Sequence, residues 1–165
     1  MRNQDFTVLF RVNYQWQDRD FARNPAVIFT ADPDLPPQNT EAMLVFPTRP
    51  DANRILWTHC LRRRPPRQGY AVFPELVDTG SWDFRPTNGA LMIAAAVALQ
   101  PKKIVVAGID LYRHPAGKYP GDARAPNAYD AMHSRATDVA FIRAALVRFD
   151  GELVLLGEEL PRAVS

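Results

Sequence analysis

The sequence contains one cysteine, Cys60, in 165 residues. An internal disulfide is therefore impossible, and so low a cysteine content fits a reducing compartment. Nowhere do about 18 apolar residues run together, the least that a helical membrane span needs. The opening residues, Met1-Arg2-Asn3-Gln4-Asp5, have none of the apolar core of a secretion signal. Charge of one sign is scarce too: 20 basic against 18 acidic residues leave a net charge of +2. That balance does not supply the concentrated basic face of a nucleic-acid-binding protein. Neither a Walker-type loop nor a Gly-x-Gly-x-x-Gly occurs, so ATP and NAD lack their usual phosphate cradle. His59-Cys60 has no second pair at ligand spacing, which argues against a zinc site. The expected compartment is the cytoplasm.

What the chain does have is apolar material, 47% of its residues, too much for a disordered chain and enough for a core. It falls into short β-branched runs separated by prolines. Thr7–Val12, Ala26–Thr30 and Ala42–Phe46 read as strands, the second and third closed by Pro33 and Pro47. Asp51 to Leu61 reads as a helix capped by Asp51, with Ile55, Leu56 and the Cys60 region inward. Tyr70 to Phe73 is a brief edge strand. From Thr87 the period turns helical, with Leu91, Met92, Ala95, Ala96 and Leu99 on one stripe, and Pro101 ends it. Lys103 to Ala107 is a buried parallel strand, central in the sheet. A helix from Ser134 carries Val139, Ile142, Ala145 and Leu146 inward, and Leu153 to Leu156 is the last strand. This alternation predicts one α/β domain, Rossmann-like, with a mostly parallel sheet flanked by helices.

Ligands in open α/β sheets lie beyond the carboxyl ends of the strands. After Lys103–Ala107 comes Gly108-Ile109-Asp110-Leu111-Tyr112, and polar rings follow at His114, Tyr119, Tyr129 and His133. Thr87-Asn88-Gly89 opens a helix, where free N–H groups and a partial positive charge suit phosphate; capping alone would also account for these residues. Tyr112 and Tyr119 read as donors to an anionic oxygen or, in the commoner use, as amphipathic loop anchors. His133 precedes a helix, and imidazole accepts a proton near neutrality; a surface capping role is the plainer alternative. Arg62-Arg63-Arg64-Pro65-Pro66-Arg67 reads as a solvated loop, with an anion or membrane-surface patch as the other reading. Asp18-Arg19-Asp20 matches, in three residues, a divalent-metal motif of some sugar-nucleotide enzymes, and reads as a solvated segment.

Taken together, Arg85-Pro86-Thr87-Asn88-Gly89, Gly108-Ile109-Asp110-Leu111-Tyr112 and His133-Ser134-Arg135-Ala136-Thr137-Asp138 resemble the ordered motifs of the bacterial sialyltransferases of glycosyltransferase family 42. The family shows Arg-x-Thr-Ser-Gly, Gly-Ile-Asp-Phe-Tyr and His-Ser-x-x-Thr-Asp at similar intervals, and a weaker match covers Phe10-Arg11-Val12-Asn13. The resemblance implies inverting, metal-independent transfer of sialic acid from CMP-sialic acid to a hydroxyl of an oligosaccharide acceptor, such as a surface lipooligosaccharide or capsule. It implies His133 as general base, Tyr112 and Tyr119 on the departing phosphate, and Arg85 near the reacting sugar. Asn13, Thr87, Asn88, Gly89, Gly108 and Asp110 match positions around the CMP. No cofactor and no metal is implied.

Departures from the family pattern accompany the match. Met1 falls after the family's first strand and its Gly-rich turn, Asn88 replaces a serine, and Tyr129 stands one place before the usual tyrosine position. These keep a second class open: a catalytically impaired sialyltransferase-fold protein that binds nucleotide or serves in assembly. A sheet without its first strand has an open edge, which predicts a homo-oligomer. No membrane span is expected, and the inner membrane face is the alternative site of a peripheral protein.

Overall fold

The computed structural model describes residues 8–13, 25–32, 41–62, 68–78, 80–113, 129 and 132–165. The Asp18-Arg19-Asp20 triplet, His114, Tyr119 and all of the arginine run except Arg62 lie outside the described residues. The chain divides into two compact units, Met1–Asp78 and Thr79–Ser165.

In the first unit β1 (Phe10–Val12), β2 (Val27–Phe29), β3 (Met43–Phe46) and β4 (Tyr70–Val72) form a four-stranded sheet in that order. Every neighbouring pair is parallel, for example Ile28 opposite Leu44 and Val45 opposite Ala71. Parallel strands require crossovers, and α1 (Arg49–Leu61) supplies the one from β3 to β4. Ile28, Leu44, Phe46, Ala52, Ile55 and Val72 make the core.

The cap of α1 is Thr48 and not Asp51. The Thr48 side chain accepts from the Asp51 amide at 3.2 Å, while its hydroxyl donates to the Asp51 carboxylate at 2.6 Å. Pro50 fits the first turn because its missing N–H would have no helical partner. Ile55 is buried and Leu56 packs on the core, but Cys60 is exposed. At 3.6 residues per turn, Cys60 lies well round the helix from the Ala52–Ile55 face. A short α2 (Phe73–Leu76), absent from the sequence reading, follows β4 directly.

The second unit contains α3 (Asn88–Ala98), β5 (Lys103–Val106), α4 (Arg135–Leu146), β6 (Glu152–Leu155) and α5 (Glu159–Val164). β5 and β6 pair in parallel, Lys103 with Glu152 through Val106 with Leu155. Among the described residues β6 is the sole partner of β5, so its central place in a larger sheet is not what the pairing displays. The buried face of α3 carries Ala90, Leu91, Ile93, Ala94, Ala95 and Val97, whereas Leu99 is 67% exposed. Leu99 is already the C-cap, where the helix has ended and the stripe no longer applies. From α4, Phe141 and Ile142 enter the core, and from α5 Leu160.

Candidate functional site

Every element of this site belongs to the second unit. Thr87 caps α3 from extended backbone, accepting weakly from the Ala90 amide at 3.5 Å. Asn88 and Gly89 form the first helical positions after it. A Cβ on Gly89 would stand 3.1 Å from Ile109 Cδ1, so the missing side chain lets the segment after β5 close on the start of α3. Trp82 holds the preceding loop, meeting the buried ring of Phe141 edge-on at 5.3 Å.

The segment after β5 has an unusual backbone. Gly108 takes φ +73°, which glycine adopts freely. Leu111 and Tyr112 then both have positive φ, +52° and +54°. The Arg113 amide donates to the Asp110 carbonyl at 3.1 Å, closing a four-residue turn. Positive φ at both central positions is the habit of a type I′ turn, normally built from Asn and Gly. Here Leu and Tyr occupy those positions, at a cost on the order of 1–3 kcal/mol each. Two things hold them there: the Leu111 side chain is 3% exposed, and the Asp110 carboxylate accepts from the Tyr112 amide at 2.9 Å. Such strain gathers where a side chain must be presented in one direction.

Asp138, on the first turn of α4, is 1% exposed. One carboxylate oxygen accepts from the Thr87 amide at 2.8 Å; the other accepts from the Thr87 hydroxyl at 2.7 Å and from the Tyr129 phenol at 3.1 Å. Burial raises the pKa of this carboxyl, and the Thr87 and Tyr129 hydrogen bonds and the nearby His133 offset the rise in part. Tyr129 is driven well above its ordinary pKa by burial first and by the charge of Asp138 second, so it remains a protonated donor. Its ring meets that of Tyr112 edge-on, with centroids 4.8 Å apart and planes at 67°.

Two contacts tie the Arg85 segment to the Met132-His133 segment. The Arg85 amide donates to the Met132 carbonyl at 3.1 Å, and His133 Nδ1 lies 2.6 Å from the Arg85 carbonyl oxygen. A carbonyl only accepts, so Nδ1 carries the hydrogen. In the neutral ring Nε2 then holds the lone pair, as a general base requires.

The structure thus brings together Arg85, Thr87, Asn88, Gly89, Asp110, Tyr112 and His133 through contacts among their own segments. Gly108 opens the strained turn and Tyr119 lies outside the described residues. Asn13 belongs to the first unit, where it ends β1 with φ +55° and its amide donates to the Phe29 carbonyl at 2.9 Å. Sequence reasoning did not assign Asp138 or Tyr129 to the site. Asp138 closes the third motif and could have been noticed there; Tyr129 was read as one of the polar rings after β5 and as a displaced tyrosine, and was given no role. Among the described residues no group of His, Cys, Asp and Glu is arranged to hold a metal, and no helix is long and apolar enough to cross a membrane. Comparison with models of known families, with curated proteins and with solved structures returns no match.

Proposed function

We propose that this chain is an inverting glycosyltransferase, similar to the bacterial sialyltransferases, that moves sialic acid or a related keto-sugar acid from a CMP-activated donor to a glycan hydroxyl. The observation that carries the reading is the meeting of three separate motif segments around the buried Asp138, with Thr87, Tyr129 and Tyr112 linked to it. Thr87 reaches that carboxylate from 51 positions away in the chain. Motifs matched by chance would have no reason to converge on one carboxyl.

The chemistry asked of the site is specific. The sialyl centre is a tertiary carbon beside a carboxylate, and its transition state resembles an oxocarbenium ion. Little push from the nucleophile is needed, but the leaving phosphate must be stabilised and the attacking hydroxyl deprotonated on the opposite face. The amides of Asn88 and Gly89 at the start of α3 suit the phosphate. Tyr112 suits the bridging oxygen, and His133 Nε2 takes the acceptor's proton. Arg85 is tied to His133 through its backbone carbonyl, and in this reading its guanidinium offsets the negative charge of the donor. No metal takes part in this scheme, so chelation should leave turnover unchanged; loss of activity with EDTA and recovery with a divalent ion would overturn that element. Among the described residues β1, β4, β5 and β6 each have one neighbour, and such edges make self-association the expected state.

The test is titration with CMP, followed by measurement of CMP release from CMP-sialic acid with water or an oligosaccharide as acceptor. Binding with turnover supports the enzyme. Binding without turnover selects the impaired, nucleotide-binding reading. No binding at millimolar CMP removes both.

A further inference from the structure

We propose that Asp138 is the positioning residue of the site, one buried carboxyl that holds the Thr87 end of α3 on one side and, through Tyr129, the ring of Tyr112 on the other. The inference rests on the function proposed above for what those two ends do, but the positioning itself is a property of the free protein.

The geometry assigns each arm. Asp138 stands in the first turn of α4, whose next residues inward, Phe141 and Ile142, are 2% and 0% exposed. Its own position is therefore fixed by the core. Its two bonds to Thr87 engage both the amide and the hydroxyl, which sets the direction in which α3 begins. This one carboxyl thus serves the N-terminal ends of two helices, α3 and α4, whose dipoles oppose the cost of burying its charge. The second arm goes to Tyr129. A phenol has one proton, and that of Tyr129 is directed at Asp138. Tyr129 therefore cannot donate to a substrate oxygen while this bond stands. Its ring instead braces Tyr112 edge-on at 4.8 Å, on a turn already strained at Leu111 and Tyr112.

The two arms separate in experiment. Tyr129→Phe keeps the ring and cuts only the second arm. In the free protein it should move the Tyr112 ring resonances in NMR and leave the Thr87 amide resonance in place. In turnover it should lower kcat about 10-fold, as misplacement of a reacting group does, with CMP affinity unchanged. Asp138→Ala cuts both arms and should move both resonances, weaken CMP binding and lower kcat. Asp138→Asn should recover part of both, because the Thr87 and Tyr129 hydroxyls can turn to accept from the new amide. This conservative rescue also keeps the test decisive where the alanine variant does not fold.

The proposal is overturned by a Tyr129→Phe spectrum with the Tyr112 ring unmoved, or by one in which the Thr87 amide shifts as far as in Asp138→Asn. It is equally overturned if kcat falls in all variants only in proportion to the folded fraction, with KM unchanged. A wild-type protein that binds no CMP would sink the proposed function, while the two resonances would still decide whether Asp138 holds both ends.

Discussion

At the scale of the residue, His133 and Asp138 present opposite problems. As the proposed base, His133 needs a lone pair, and its Nδ1 bond to the Arg85 carbonyl assigns that lone pair to Nε2. His133→Ala should lower the rate of transfer by about 10²–10⁴-fold, the usual contribution of a positioned base. Tyr112→Phe should cost less, since a hydrogen bond to a charged oxygen is worth about 1.5–3 kcal/mol. Steady-state kinetics on folded variants decide this, and equal losses would refute the division of labour. Asp138 has three donors to satisfy and almost no water. Asp138→Ala leaves the Thr87 amide buried beside an empty acceptor position, and should destabilise by about 2–4 kcal/mol in urea unfolding. A folded-state pKa raised above the unfolded value means that the native form binds more protons in the interval between them. Stability from this group is therefore highest below about pH 4 and falls as pH rises toward the folded pKa. In Asp138→Asn that fall should vanish from the difference between the two unfolding curves. An unchanged pH slope would show that another group carries it.

At the scale of the element, caps and close approaches decide where helices and turns begin. Thr48 and Asp51 satisfy one another at the start of α1, and Thr48→Ala should cost about 1 kcal/mol, read from the shift in denaturation midpoint. The turn from α4 into β6 is tighter still. A Cβ on Gly151 would meet the Phe149 ring and the carbonyl oxygens of Pro101 and Lys102 at 2.5–2.9 Å. Backbone cannot withdraw as a flexible side chain can, so Gly151→Ala should destabilise the second unit by about 1–3 kcal/mol. A neutral result would mean that the turn has slack which these distances do not allow. The strand and helix positions were largely legible because period-2 and period-3.6 patterns are local. The α1 cap was misread because Asp51, an excellent cap by type, lies inside the helix once Pro50 has fixed the first turn. α5 escaped notice because six residues, Glu159–Val164, are too few to display a period.

At the scale of the whole molecule, the described strands fall into a four-stranded and a two-stranded parallel set. β1 and β4 end the first set, and β5 and β6 each have one described neighbour. Outer strands offer unpaired amides and carbonyls, and a second copy can satisfy them. Light scattering should give a mass above that of one chain at micromolar concentration, and a monodisperse monomer would refute the expectation.

The sequence by itself determined the strands and the three longer helices, and it set the candidate residues in three ordered segments, because hydrophobic period and residue type act over a few positions. Only the tertiary structure decided that Asp138 lies at their junction, that Tyr129 faces Asp138 and braces Tyr112, and which nitrogen of His133 carries the hydrogen. Those facts depend on contacts between residues as far apart as Thr87 and Asp138, and on burial, which gives a hydrogen bond its weight once water is excluded.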